Sequence, residues 1–187
     1  MNRLQLLEKE ISACKRCPLY KTACKAVPGE GPISAKVMFL GEAPGREEDL
    51  SGRPFVGRAG KLLTQLIEEI GLKREDVFIT SVIKHRPPKN RQPKRQELEA
   101  CKIWWQKQIK IIKPKVLVLL GRFAFDMVVD NKVSLTKSRG KFLAVQKDWG
   151  SQEVFITYHP SAGLRFVRFK EVLKNDFKKI KERVKGF

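Results

Sequence analysis

Four short runs of apolar residues, rich in β-branched and aromatic side chains, limit the folds open to this chain. They cover residues 37–40, 77–83, 116–120 and 154–158, and each has the length and content of a β-strand. The run VLVLL at 116–120 shows no alternation of apolar with polar residues, which is typical of a strand buried on both faces. The runs therefore predict a sheet that is covered on both sides.

Helical patterns lie between the predicted strands and after the last one. Within residues 60–70 the apolar side chains recur about every 3.6 residues, so that they share one face of a helix. Further helices are expected at about 93–112, after Gly121 and along the C-terminal stretch. Helices that join successive strands make right-handed crossovers, so the sheet should be mostly parallel. We predict one α/β domain over residues 1–187, a three-layer α/β/α sandwich around a central four-stranded sheet.

The composition indicates a folded protein outside the membrane. A chain of 187 residues, 42% of them hydrophobic, can bury the core of one domain. No apolar run approaches the roughly 20 residues of a membrane span, and we expect no signal peptide because the chain begins with a charged segment. We expect a cytoplasmic protein with no membrane partner, and we take it to be a monomer.

The chain is strongly basic, with 39 Lys and Arg against 20 Asp and Glu and a formal net charge of +19. Such a charge attracts polyanions; nucleic acid is the first candidate, and a merely solvated Lys-rich surface is the alternative. Pro87 and Pro88 should hold the segment 84–95 extended, so that its cations reach successive DNA phosphates. Its basic residues are Lys84, Arg86, Lys89, Arg91, Lys94 and Arg95.

Polar segments rich in Gly and Pro follow the predicted strands. Ligands of open α/β sheets bind at the carboxyl ends of the strands, so these segments should meet at one site. Glu42 can polarise a water molecule there, or merely cap a turn. His159 can donate a hydrogen bond to an oxygen that gains negative charge, or be a structural histidine. Phe55 can be a platform for a flat ring or a core anchor.

The four cysteines favour a metal site over disulfides in a protein expected to be intracellular. Cys14 and Cys17 are spaced to reach one metal, and Cys101 lies on a predicted helix. A zinc ribbon would need a second C-x2-C pair, and an iron–sulfur cluster ordinarily needs four thiolates. The residues alone leave open whether Cys24 is the fourth ligand.

Several motifs occur in a specific order along the chain. They are C-x2-C-P-L at 14–19, VPGEG at 27–31, GEAPG at 41–45, GRPFVGRAGKLL at 52–63, KHRPPKNRQP at 84–93 followed by Cys101, and HPSA at 159–162. With these motifs the chain resembles the family 4 uracil-DNA glycosylases, the iron–sulfur group of archaea and bacteria, over nearly its whole length. The resemblance implies the uracil-DNA glycosylase fold and a prokaryotic enzyme that acts at the nucleoid.

The resemblance also implies an activity and a set of site residues. The enzyme would flip uracil out of single- or double-stranded DNA and hydrolyse its N-glycosidic bond as a monofunctional glycosylase of base-excision repair. Glu42 falls where the family orients the attacking water, His159 where it hydrogen-bonds uracil O2, and Phe55 where it stacks on the base. The expected base pocket comprises Gly41, Ala43, Pro44, Gly45, Phe55 and Ser81. The expected DNA contacts are Lys84, Arg86, Lys89, Arg91, Ser161, Leu164 and Arg165, with Leu164 in the loop that fills the vacated stack.

A [4Fe–4S] cluster is the cofactor that the resemblance implies, and one ligand departs from the family pattern. Cys14, Cys17 and Cys101 match the family's ligands, whereas His85 stands in place of a cysteine. Three readings follow: His85 binds iron, Cys24 supplies the missing thiolate, or the cluster is lost or replaced by zinc.

Ser81 is the second departure, since the family usually has an asparagine there that reads the uracil edge. An amide donates and accepts together, whereas a hydroxyl is shorter and reaches one atom at a time. This leaves open a glycosylase for another deaminated base such as hypoxanthine, or a weakly catalytic protein that binds damaged or abasic DNA. The joint presence of Glu42, Phe55 and His159 favours the enzyme.

Overall fold

The computed structural model describes residues 1–129 and 133–185, and helices and strands alternate along most of this length. The elements are α1 (Arg3–Ser12), β1 (Val37–Gly41), α2 (Arg46–Ser51), α3 (Arg58–Glu69), β2 (Phe78–Ser81), α4 (Arg95–Ile112), β3 (Val116–Leu120), α5 (Arg122–Val128), α6 (Leu135–Ser138), β4 (Phe142–Lys147), β5 (Gly150–Thr157), α7 (Pro160–Arg165) and α8 (Val167–Val184). None of the helices in this part of the chain is long and apolar enough to span a membrane.

The strands form one sheet in the order β2-β1-β3-β5-β4. β1 pairs in parallel with β2 and β3, and β3 pairs in parallel with β5. Gly41 at the end of β1 lies opposite Ser81 at the end of β2, and Leu120 lies opposite Thr157. The carboxyl ends of these four strands therefore meet at one edge, as the sequence predicts.

The expected count of four strands is wrong, because β4 adds an antiparallel edge strand beside β5. Its six residues, FLAVQK, begin with four apolar side chains, but all six are only partly buried or exposed, and the segment lies outside the four runs selected from the sequence. An edge strand of this kind gives a weak sequence signal. Each of the four predicted runs nevertheless corresponds to a strand, so the α/β prediction is confirmed.

Alternating side chains of β3 supply two separate cores. Leu117 and Leu119 pack with α1, α4 and α5 on one face of the sheet, and Val116, Val118 and Leu120 pack with α3 and α8 on the other. All five side chains are fully buried. Burial on both faces explains why this run lacks the alternation of a half-exposed strand. The architecture is thus a three-layer α/β/α sandwich.

Candidate active site

A cavity of about 390 Å³ opens at the carboxyl edge of the sheet. Ten of the predicted catalytic, base-pocket and DNA-contact residues line it, in agreement with convergence of the strand-end segments. They are Glu42, Ala43, Pro44, Gly45, Phe55, Ser81, Arg91, His159, Ser161 and Arg165. Six further lining residues are not among those predicted from the sequence, namely Val27, Glu48, Pro54, Ala59, Pro87 and Asn90.

Glu42 follows β1 directly and presents a half-buried carboxylate to this cavity. Its side chain has no hydrogen-bond or ion-pair partner among residues 1–129 and 133–185. Burial raises the pKa of Glu42, because an ionised carboxylate loses part of its hydration there. The group is therefore free to hold a water molecule and is a stronger base than an exposed glutamate.

His159 is the N-cap of α7, and protein surrounds most of its ring although one side faces the cavity. This burial lowers the pKa of His159 to about 4, so the imidazole is neutral near pH 7. Nδ1 accepts a hydrogen bond from the backbone N–H of Ser161 at 3.2 Å and lies 2.9 Å from its Oγ. Because Nδ1 is an acceptor, the proton of the neutral ring lies on Nε2.

Phe55 lies 8% exposed, and its ring centroid is 5.5 Å from that of His159. Its φ of +50° is in the left-handed region, which is rare for a bulky residue. Two glycines make this placement possible. A β-carbon at Gly41 would lie 2.5 Å from Phe55 Cζ, and one at Gly60 would lie 1.9 Å from the Phe55 carbonyl oxygen. Phe55 is thus a wall of the cavity that depends on close backbone approach.

Glu48 holds the loop that carries Phe55, a role that the sequence analysis missed. Its carboxylate accepts hydrogen bonds from the backbone N–H groups of Gly45 at 3.1 Å and of Val56 and Gly57 at 2.8 Å each. The bond to Gly45 has a local signal, a glutamate at the third position of α2. The bonds to residues 56 and 57 cross the loop and have no signal in local sequence.

Lys84 is a correction to the predicted DNA contacts. Its side chain is fully buried, and Nζ donates to the Pro28 carbonyl at 3.1 Å, to Gln108 Oε1 at 2.8 Å and to Thr80 Oγ1. Burial lowers its pKa to about 7. An ammonium group enclosed in this way cannot reach a DNA phosphate, so Lys84 is a structural residue.

The rest of the basic segment is folded back, not extended as predicted. Residues Pro88–Asn90 form a 3-10 turn with Lys89 and Asn90 at positive φ. The Arg91 guanidinium binds Glu97 through two hydrogen bonds of 2.9 and 2.6 Å, and Arg86 donates to Asn90 at 2.7 Å. Arg91 still lines the cavity, whereas Lys89 and Arg86 lie outside it.

The cysteines lie outside the active-site cavity, and none of the four lines it. Cys14 and Cys101 are buried, and both sulfurs accept hydrogen bonds, from Trp104 Nε1 at 3.2 Å and from the Lys84 backbone N–H at 3.3 Å. Burial, with smaller contributions from the thiols of Cys17 and Cys14, raises the pKa of Cys101 to about 12. These three thiols are therefore neighbours.

A second cavity, of about 590 Å³, adjoins the cysteines and is lined by Cys14, Cys24 and His85. His85 is 6% exposed and its ring has no hydrogen-bond partner in the described chain, whereas Cys24 is exposed. No three His, Cys, Asp or Glu side chains of the described residues are arranged to hold a single metal ion. Buried neighbouring thiols with donors to sulfur nevertheless match the donor set of an iron–sulfur cluster.

Comparison with known proteins identifies the relatives of this chain. Residues 28–183 match the uracil DNA glycosylase superfamily. A type-4 uracil-DNA glycosylase of Sulfurisphaera tokodaii is 48% identical over 187 positions, which cover 97% of this chain and 85% of that protein. One from Archaeoglobus fulgidus is 44% identical, with 97% and 94% covered. A type-5 uracil-DNA glycosylase of Thermus thermophilus is 31% identical, with 73% and 69% covered.

The close approach of Gly60 to Phe55 predicts that a glycine-to-alanine substitution in α3 lowers stability, the opposite of what helix propensity predicts. Alanine is a better helix former than glycine by about 1 kcal/mol, so propensity alone predicts that Gly60→Ala is stabilising. The overlap with the Phe55 backbone predicts instead a loss of about 1–3 kcal/mol of unfolding free energy in guanidinium. Lys61→Ala, at an exposed site of the same helix, should change stability by less than about 0.5 kcal/mol. A stabilised Gly60→Ala protein would contradict the close approach.

The raised pKa of Glu42 predicts a stability change that depends on pH. A carboxyl group whose folded pKa exceeds its unfolded pKa favours the fold while protonated, and this contribution is lost as pH rises through the folded pKa. Glu42→Gln should therefore raise the melting temperature at pH 7, by roughly 1–2 °C after solvent screening, and leave it unchanged well below pH 4.5. Glu47→Gln, at an exposed site of α2, should show no gain. Equal gains at both pH values would contradict the burial argument.

Proposed function

The chain belongs to the uracil-DNA glycosylase superfamily, and on that premise we propose that it is a monofunctional uracil-DNA glycosylase of base-excision repair. The observation that carries the proposal is one cavity that holds a carboxylate bound by no described residue, a neutral imidazole and an aromatic wall, from Glu42, His159 and Phe55. The target nucleotide leaves the base stack and enters this cavity, because its glycosidic bond is inaccessible within a stacked duplex.

His159 stabilises the departing base. As the C1′–N1 bond breaks, uracil takes the bonding electron pair, and negative charge grows on its ring and on O2. The Nε2–H of the neutral imidazole donates a hydrogen bond to that oxygen, while Ser161 holds Nδ1 as an acceptor. A donor fixed in a partly desolvated site stabilises such charge without reorganisation during the reaction.

Glu42 acts on the sugar, on the other side of the bond that breaks. Loss of the base leaves C1′ with oxocarbenium character, which a nearby carboxylate stabilises. Glu42 orients the water whose oxygen bonds to C1′ and accepts the proton that this water releases. The base leaves as an anion and is protonated, so the products are free uracil and an abasic site.

The DNA contacts lie at the mouth of the cavity. Arg165 lines it and can neutralise a phosphate beside the flipped nucleotide, and Ser161 offers a hydroxyl there. Arg91 also lines it, but its charge is shared with Glu97. Leu164 is 41% exposed on α7 and fills the gap that the flipped base leaves in the stack. Lys89 and Arg86 add more distant positive charge.

Ser81 supports a second candidate substrate. Its hydroxyl has no hydrogen-bond partner in the described chain and lines the cavity at the end of β2. A short hydroxyl leaves room that a larger reader would fill, so hypoxanthine is the alternative base. Release assays on oligonucleotides that differ only in uracil or hypoxanthine decide between the two bases.

Substitution of either Glu42 or His159 should slow the release of uracil. Glu42→Gln and His159→Ala should each reduce uracil release by about 10²–10⁴-fold, the range for a positioned acid–base group or oxyanion donor. The wild-type rate should fall on the acid side as Glu42 is protonated, and Glu42→Gln should lack this limb. His159 should add no limb near pH 7, because its pKa is about 4. Free uracil and alkali-labile sites are measured, with Glu47→Gln as control. Undiminished release by either variant would refute the assignment.

We also propose that Cys14, Cys17, Cys101 and His85 hold a [4Fe–4S] cluster. The buried His85 ring has no hydrogen-bond partner among the described residues and faces the cavity beside Cys14, which favours it over the exposed Cys24. When bound, the cluster would cross-link the N-terminal segment to α4. Hydrolysis is carried out by the residues of the active-site cavity, Glu42 and His159.

The ligand assignment predicts different outcomes for two neighbouring substitutions. Anaerobically purified protein should contain about four iron atoms per chain and show the visible absorption of this cluster. Cys24→Ser should keep iron content and absorption, whereas His85→Ala should lose both, and His85→Cys should restore them. Loss of iron in Cys24→Ser with retention in His85→Ala would reverse the assignment. Zinc in place of iron would refute the cluster.

A further inference from the structure

The backbone at Pro54 and Phe55 is held in a conformation that Phe55 does not favour by itself. A bulky residue at φ +50° costs free energy and persists only where its surroundings impose that conformation. Glu48 fixes the following residues by accepting the N–H groups of Val56 and Gly57. It does not contact the carbonyl oxygens of Pro54 and Phe55, which accept hydrogen bonds from a separate donor.

Arg74 supplies that donor from a 3-10 turn 19 residues further along the chain. Its Nη2 donates to the Pro54 carbonyl at 2.6 Å, and its Nη1 donates to the Phe55 carbonyl at 3.2 Å. Nη1 also donates to Thr64 Oγ1 in α3 at 3.0 Å. Only a guanidinium presents several donors in one rigid plane, so a single side chain can hold two successive carbonyls.

The far side of Arg74 is fixed to the sheet. Its Nε donates to Glu30 Oε1 at 3.4 Å, and only 18% of the Arg74 side chain is exposed. The backbone of Glu30 pairs with Ile79 of β2 through hydrogen bonds of 2.9 and 2.8 Å. Arg74 therefore connects β2, α3 and the Phe55 loop, and its position is determined from three directions.

We propose that Arg74 is a positioning residue that sets the Phe55 ring against the flipped base. The inference rests on the proposed function, since it takes Phe55 as the stacking platform. Arg74 itself does not line the active-site cavity; it lines a different one together with Phe55 and Thr64. It therefore acts on the base only through the carbonyls that it holds.

Two ligands separate positioning of the platform from a general loss of structure. Free uracil needs the stacked ring, whereas DNA with a tetrahydrofuran abasic site has no base to stack. Arg74→Lys should weaken uracil binding, measured by calorimetry and as product inhibition, by about tenfold, within the range for one base–aromatic stack. Its affinity for the abasic DNA should stay within about twofold of wild type. KM for uracil-containing DNA should rise more than kcat falls.

Arg53→Lys is the matched control. Arg53 binds the same glutamate at 2.7 and 2.9 Å but contacts neither carbonyl, so this variant should keep uracil affinity. Thr64→Val removes one partner of the guanidinium and should weaken uracil binding less than Arg74→Lys does. This milder variant keeps the test available should Arg74→Lys be too unstable. Wild-type uracil affinity in both Arg74→Lys and Thr64→Val would overturn the proposal. Equal losses of affinity for uracil and for abasic DNA would also overturn it.

A direct readout of Phe55 separates failure of this inference from failure of the proposed function. In protein labelled with fluorophenylalanine, the Phe55 resonance is assigned by its absence in Phe55→Leu. Arg74→Lys should shift this resonance, and Arg53→Lys should not. If wild-type protein neither binds nor releases uracil but the shift occurs, the proposed function fails and the clamp on Phe55 stands. If uracil is released and the resonance is unmoved, the inference on Arg74 fails alone.

Discussion

The parallel pairing of β1 with β2 and β3 is the constraint on which the candidate site depends. It places Gly41 opposite Ser81 and brings Glu42 to the same edge as the residues that follow β5. Parallel strands require long crossovers, and here helices buried on both faces of the sheet provide them. The strand ends are therefore rigid, and the variable chemistry lies in the segments between each strand and the next helix.

Burial acts in opposite senses on the two proposed catalytic groups and suits each to its role. It raises the pKa of Glu42, which makes the carboxylate a better base, and it lowers the pKa of His159, which keeps the imidazole neutral. A neutral imidazole can still donate a hydrogen bond to the negative charge that forms on the leaving base, and the site does not have to bury a positive charge in the ground state. The net charge of +19 favours attachment to DNA and does not explain which base is removed.

The sequence predicted what depends on local pattern. The strand runs, the amphipathic helix α3 and the strand-end position of Glu42 and His159 follow from periodicity and from the rule for parallel sheets. It could not predict contacts that depend on distance in space. Lys84 lies in a basic segment and reads as a phosphate contact, yet it is buried because Pro28, Thr80 and Gln108 converge on its ammonium group. Arg74 is not among the predicted site residues, because its partners Pro54, Phe55 and Thr64 lie 10 to 20 residues away in the chain.

The segment 27–31 connects the two cavities, since its residues line both of them. Val27 lines the active-site cavity, whereas Pro28 and Gly29 line the one beside the cysteines. The Pro28 carbonyl accepts from Lys84, whose backbone N–H donates to Cys101, and Glu30 anchors Arg74 behind Phe55. Since each of these groups is held by at least one of the others, displacement of the segment would alter the cysteine site and the aromatic wall together.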